Sequence, residues 1–157
     1  MKKIILLLIV VTLCFACQKQ IDTEHEKESV ISVIENETNS FHARDFDQQI
    51  KSFKQDEGLT ILSASSNTYY NVIGWEEISK IYKQIHEDDP VPSKERIKFE
   101  NYRIKVYQES ALAYFDEQIL SEEGKLLRKY INVRFLEKVD GECKIVYLSN
   151  VEPNTYD

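Results

Sequence analysis

Near the end of the chain, Glu117, Tyr147 and Ser149 share an alternating phase with apolar side chains, which makes them the first candidates for chemistry. That phase also holds Ala113 and Phe115, then Ile131, Val133 and Phe135, then Cys143 and Ile145. On a strand with one buried face, residues two apart point the same way, so the apolar phase is expected to face the core. A carboxylate turned into such a place loses its hydration. Its pKa rises, and it can carry a proton near neutral pH. A tyrosine hydroxyl beside it would donate to an oxyanion as it forms. Glu117 as base and Tyr147 as donor thus define a cofactor-free proton-transfer site, provided that both reach one common point. The plainer reading is that Glu117 sits near a strand end and is simply hydrated.

Tyr69, Tyr70 and Trp75 form a second candidate group. They are placed to rim a pocket and stack on a flat ligand, with Phe115 and Ser149 completing the ligand-binding set. Aromatic residues at the entry to a helix also serve as core or edge packing, and that alternative stays open. Tyr114, Asp116, Asn132 and Arg134 fall in the opposite phase and are expected to face solvent or a partner subunit. His25, His42 and His86 show no pairing with Cys or Asp at the spacing of a metal site, so no metal is expected. His42 closes a helical segment, where its charge complements the helix dipole, and it reads as structural. Cys143 has Lys144 as its neighbouring cation, which alternation sends to the other face, and it reads as a small buried apolar residue. The sequence holds no Ser-His-Asp order, phosphate loop or paired-histidine motif, and no cofactor is expected.

The elements that must position these residues follow from periodicity. Val30, Val33, Ile34 and Phe41 recur at helical spacing, and Phe46, Ile50 and Phe53 define a second, shorter stripe that ends by Gly58. Leu59–Ser65 is a short strand candidate. Gly74 precedes a third helix, in which Trp75, Ile78, Ile81, Tyr82 and Ile85 share a face, and Pro90 bars its extension. Beyond Glu95 the period changes to two. Four strands are expected, over Arg96–Glu109, Ala111–Leu120, Lys125–Val139 and Glu142–Val151, with turns at 121–124 and at Asp140-Gly141. Ile97 and Phe99 alternate in one phase and Tyr102, Ile104 and Val106 in the other, which predicts a β-bulge near Glu100-Asn101.

The chain opens on Lys2 and Lys3 and then runs apolar to Ala16, a charged region followed by a hydrophobic one. At about 1.5 Å per residue the run spans roughly 20 Å, short of the ~30 Å core of a bilayer. The residues Cys14-Phe15-Ala16-Cys17 resemble the lipobox of bacterial lipoproteins. That resemblance implies cleavage after Ala16, lipidation of Cys17 and attachment to a membrane in the cell envelope, outside the cytoplasm; ordinary secretory cleavage that leaves a free thiol is the alternative. Residues 1–16 are then a signal peptide, 17–27 a lipidated flexible tether, 28–152 the domain and 153–157 a short tail. The processed chain keeps 18 basic and 27 acidic residues, a formal charge of −9. Such a balance argues against binding nucleic acid or anionic lipid.

Three helices, a short strand before the third, and four long strands that end the chain: this order resembles the nuclear transport factor 2-like superfamily, and within it the SnoaL-like group. The final hairpin, Lys138-Val139-Asp140-Gly141-Glu142-Cys143-Lys144-Ile145-Val146, is similar to that of such domains, with Cys143 where they often have Trp. Gly74-Trp75-Glu76-Glu77-Ile78 is similar to the entry of their third helix, and Asp45 to the acidic residue that opens their second. The resemblance implies an α+β cone in which three N-terminal helices pack in the concave side of a curved, mostly antiparallel sheet, with a pocket at the open end. Members include isomerases, cyclases, dehydratases and non-catalytic binding domains, and often dimerise through the sheet. The expectation is a non-catalytic domain that binds a small apolar molecule or a protein partner. The alternative is the proton-transfer enzyme built on Glu117 and Tyr147.

Overall fold

A stripe of apolar side chains and an acidic first turn, Glu24 and Glu26, start the first helix in the computed structural model, which describes residues 23–66 and 68–153. The leader, Cys17 and residues 154–157 lie outside the described residues. Helix α1 spans Thr23–Ala43. Five residues expected to be tether, Thr23 to Lys27, are therefore helical, and Glu26 pairs with Lys138 of the sheet. The helix ends where Arg44 takes a positive φ of 60° and Asp45 N donates to Ser40 O at 2.9 Å, closing the last turn. Asp45 then caps helix α2, Phe46–Gln49, by accepting from Gln48 N at 2.9 Å, and a 3₁₀ turn, Ile50–Ser52, continues it.

Strand β1, Thr60–Ala64, lies where expected. A second short strand, β2, Tyr69–Ile73, pairs antiparallel with it. The expectation missed β2, because two exposed tyrosines and an asparagine do not alternate with buried apolar residues. Gly74 then turns at φ 92°, a conformation that favours glycine, so that Trp75 N reaches Asp56 O at 2.9 Å and helix α3, Trp75–Asp88, begins. On α3 the buried residues are Ile78, Tyr82 and His86, whereas Ile81 is exposed. No helix of the described residues is long and apolar enough to cross a membrane.

The long strands are β3, Arg96–Val106; β4, Ser110–Leu120; β5, Leu126–Val139; and β6, Glu142–Val151. The sheet order is β2-β1-β6-β5-β4-β3, with only β1 and β6 parallel. It curves without closing around the three helices, in the α+β cone expected. The register of β3 on β4 shifts between Glu100 and Arg103, and Asn101 takes φ 57°, so the bulge lies where the phase slip placed it. Asp140 and Gly141, at φ 52° and 87°, form the two-residue hairpin.

Register overturns one part of the phase assignment. Arg134 pairs with Ala113 and Asn132 with Phe115, and residues directly opposite one another share a face. The inward phase of β5 is therefore Asn132, Arg134 and Leu136, all buried, while Ile131 is 44 % exposed on the outer side. A second, unforeseen bulge inserts Val146 into β6: Leu136 pairs with Ile145, but Phe135 pairs with Tyr147. The inward residues of β6 are thus Cys143, Ile145 and then Leu148. Tyr147 shares the outer face with Phe135.

Candidate functional site

The concave face is filled at one end and hollow at the other. Val30, Ile34, Ala111, Ala113, Leu136 and Ile145 are part of one continuous core. Beyond them opens a cavity of about 310 Å³, lined from α1 by Glu37, Thr38, Phe41 and His42, from β4 by Glu117 and Ile119, and from β5 by Arg128, Tyr130 and Arg134. Tyr70, Tyr82, Leu148 and Asn150 complete much of the wall. The lining is largely polar, which differs from the apolar pocket expected. A smaller hollow of about 150 Å³ between β1, β2 and α3 is the apolar one, lined by Ile61, Val72, Ile78, Ile81 and Ile85, and it shares Tyr70 and Tyr82 with the first.

Arg134 organises the floor. Its side chain is 1 % exposed and its guanidinium carbon lies 5.4 Å from the Phe115 ring centroid. Nη1 donates to Asn150 Oδ1 at 3.0 Å, Asn132 Oδ1 at 3.2 Å, Ser149 O at 3.2 Å and Val133 O at 3.3 Å. Nη2 lies 3.6 Å from Glu37 Oε2, a buried ion pair. Glu37 is held from the other side: Gln49 Nε2 donates to its Oε1 at 3.2 Å, and Gln49 Oε1 accepts from His86 Nε2 at 2.9 Å. Burying an ion pair is costly unless its remaining donors and acceptors are met, and this relay from α3 through α2 to α1 meets those of Glu37.

Glu117 differs. Its residue is 6 % exposed, it faces the cavity, and it forms no hydrogen bond or ion pair with a described residue. Desolvation pushes its carboxyl up to about 7, reinforced by Glu37 and opposed by Arg134 and Arg128. At the mouth, Arg128 Nη2 donates to Glu95 Oε1 at 2.6 Å and Arg44 pairs with Asp89. His42 Nδ1 lies 3.8 Å from Glu95 Oε2, and burial holds the imidazole below its usual pKa, with Glu95 opposing and Arg44 and Arg128 reinforcing.

Of the residues expected from sequence, Glu117 and Tyr70 line the cavity. Tyr147 does not. It stands on the outer face opposite Phe135, so the proposed donor is on the wrong side of the sheet from the proposed base. Phe115 is core beneath Arg134, and Ser149 contributes its backbone carbonyl rather than its hydroxyl. Trp75 packs against Phe53 with ring centroids 6.3 Å apart, and Tyr69 is 70 % exposed on the edge strand, so neither rims the cavity. Tyr114 and Asp116 do face outward, near Arg103 and Lys129. Arg134 and Asn132, assigned outward from sequence, are buried. Glu37 was also missed, although a signal existed: it falls three residues after Ile34 on the buried stripe of α1, where a charge needs a partner.

No protein-family model matches the sequence, and no curated protein does. Solved structures are similar in fold. A Nostoc punctiforme protein of unknown function with a cystatin-like fold superposes with a TM-score of 0.67 at 12 % identity, covering 82 % of this chain and 92 % of that one. An NTF-2-like protein of unknown function from Shewanella oneidensis gives 0.63 at 15 % identity, over 81 % and 99 %. The association domain of C. elegans CaMKII gives 0.62 at 14 % identity, over 81 % and 95 %. The fold is nuclear transport factor 2-like. At these identities the likeness speaks for the fold alone.

Proposed function

We propose that this domain binds a small molecule in the polar cavity at the open end of the cone, without catalysis, and does so outside the cytoplasm on a membrane to which a lipid on Cys17 tethers it. The observation that carries the binding reading is Glu117: an acidic residue only 6 % exposed, turned into a cavity, with no hydrogen-bond or ion-pair partner among the described residues. A buried polar group left unpaired costs about 1–3 kcal/mol, and a ligand that satisfies it recovers that cost. Native mass spectrometry of the purified protein tests the reading. A co-purifying small molecule that is lost in the Glu117→Gln variant supports it, and an apo mass for the wild type counts against it. Incorporation of labelled fatty acid that disappears in Cys17→Ser tests the tether.

The pKa of Glu117 favours a second reading, proton transfer, because a carboxyl at about 7 suits a general base. With Tyr147 on the outer face, the donor role falls to a hydroxyl that lines the cavity, Tyr70 or Tyr130. A homodimer through the outer sheet face is also proposed. Cross-strand pairing places Leu112, Phe135 and Tyr147 in one outward row and Tyr114 and Val133 in the next, and one similar structure is an association domain. Sedimentation reads it directly: Tyr114→Glu shifts a dimer to monomer.

A further inference from the structure

We propose that the molecule bound in the cavity is an amine, its ammonium group held by the Glu117 carboxylate against an aromatic wall of Phe41, Tyr70, Tyr82 and Tyr130. This rests on the reading of the domain as a binding module and names the class of its ligand.

The charges lining the cavity carry the argument. Three arginines reach it, and each has a carboxylate partner, though Arg134 Nε is buried with no hydrogen-bond partner among the described residues. Arg134 is paired with Glu37 and spends Nη1 on four oxygens of the protein. Arg128 is paired with Glu95, and Arg44 with Asp89. His42 is held toward its neutral form by burial. Three glutamates, Glu37, Glu95 and Glu117, line the cavity with the three arginines, and Asp89, exposed just beyond the lining, neutralises Arg44; with Asp89 counted, Glu117 is the charge left over, one surplus negative charge in a poorly hydrated place. An anionic guest would double it. A neutral guest would leave it, whereas a monovalent cation cancels it, and interactions between charges strengthen as water is excluded.

The walls suit the same guest. Phe41 and Tyr82 are in ring contact, with centroids 5.9 Å apart, and Tyr70 and Tyr130 line the same space. The faces of aromatic rings attract cations, most of all where the cation is desolvated. A volume of about 310 Å³ restricts the guest to a small molecule.

Benzylamine, benzyl alcohol and benzoate share one ring and differ in charge, and calorimetric titration of each into the protein is the test. Titratable and charged groups that line the cavity with Glu117 are Glu37, His42 and Arg44 on or just after α1, Tyr70 on β2 and Tyr82 on α3, with Glu95 before β3 and Arg128, Tyr130 and Arg134 on β5; Tyr102 on β3 also interacts electrostatically with Glu117. Desolvation raises the Glu117 carboxyl to about 7 and burial lowers the His42 imidazole, and both groups add positive charge on acidification. Benzylamine is expected to bind best of the three at pH 8.5 and about a hundredfold more weakly at pH 5, as Glu117 takes up its proton. At pH 7 its binding should release about half a proton. Glu117→Gln is expected to abolish the preference for the amine and to leave only the small pH dependence due to His42. Tighter binding of benzoate or benzyl alcohol, or an amine affinity that stays flat with pH in the wild type, overturns the amine assignment while leaving small-molecule binding in place. Failure of all three probes to bind also overturns the amine assignment, and the binding reading then stands or falls on the native mass spectrum. The probe series and the pH profile use the wild type, so they decide the matter even if the variant is unstable.

Discussion

Near the Asp140-Gly141 hairpin, the concave face is made of Val30 and Ile34 from α1, Ala111 from β4, Leu136 from β5 and Ile145 from β6. One turn further along the same helix stand Glu37 and Thr38, and further along the inward rows of the same strands stand Glu117, Arg134, Asn132 and Asn150. Along α1, β4 and β5 the inward phase runs unbroken between the two ends, and on β6 the bulge at Val146 carries it from Ile145 to Leu148; what changes is the side chains. The filled end gains from apolar burial, about 25 cal/mol per Å² removed from water. Charges buried at the hollow end offset part of that gain. Here those charges converge on one cavity. The contrast teaches that an inward phase is a direction, not a polarity.

Arg134 gives the sharpest way to break the comparison. Arg134→Leu makes the hollow end resemble the filled one, but it strands Glu37 in the interior without its cation. Removing one member of a buried pair is expected to cost about 3–5 kcal/mol, measured as loss of unfolding free energy in urea. It should also raise the pKa of Glu117 further, because Arg134 opposes the desolvation that lifts it. Adding Glu37→Leu should recover most of the loss. At the filled end Ile34→Ala is expected to cost about 3 kcal/mol through the lost contacts and the cavity left, with no partner substitution that restores it and no dependence on pH.

Glu117 sharpens the comparison through its sign. Its carboxyl rises on folding from 4.5 to about 7, so the folded state holds the proton more tightly than the unfolded chain does. The stability this brings is complete below about pH 4.5 and is lost as pH rises toward and through 7. Glu117→Gln, which cannot ionise, is expected to be more stable than the wild type at pH 8 by about 3 kcal/mol, with the difference fading toward pH 4.5. Thermal melts of both proteins across that range measure it. A wild type that instead gains stability with rising pH over this window would mean that the carboxyl is hydrated or paired.

What was legible in the sequence was local. The Asp140-Gly141 turn, the bulge at Glu100-Asn101, the break at Gly74 and the buried stripe of α1 each depend on a few consecutive residues. The face that β5 turns inward does not. In Ile131 to Phe135 apolar and polar residues alternate cleanly, and local reasoning sends the apolar ones inside. Pairing with β4, far along the chain in register, sends them outside and buries Asn132 and Arg134 instead. Val146 likewise reverses the phase of β6 without any glycine or asparagine to mark it. Tyr147 was lost for that reason, whereas Glu117 survived because β4 carries small or apolar inward residues at Ala111, Ala113, Phe115 and Ile119 and leaves no second phase to choose.

Asp45 marks the smallest expected effect and tests whether the hollow end depends on the short helix beneath it. Helix α2 has only four residues, too few to be stable alone. Its cap, the Asp45 carboxylate accepting from Gln48 N, sits next to Gln49, whose amide supports Glu37 and receives His86. Asp45→Ala is expected to lower stability by about 1 kcal/mol. Asp45→Asn, which can still accept, should lower it by less. If α2 matters mainly as a platform for Gln49, Asp45→Ala should also loosen the Glu37 pair and change the Glu117 titration followed by carboxyl NMR, and Ile34→Ala, at the other end of the same face, should leave that titration where it is. An unchanged Glu117 titration in Asp45→Ala would assign the cap to the helix alone.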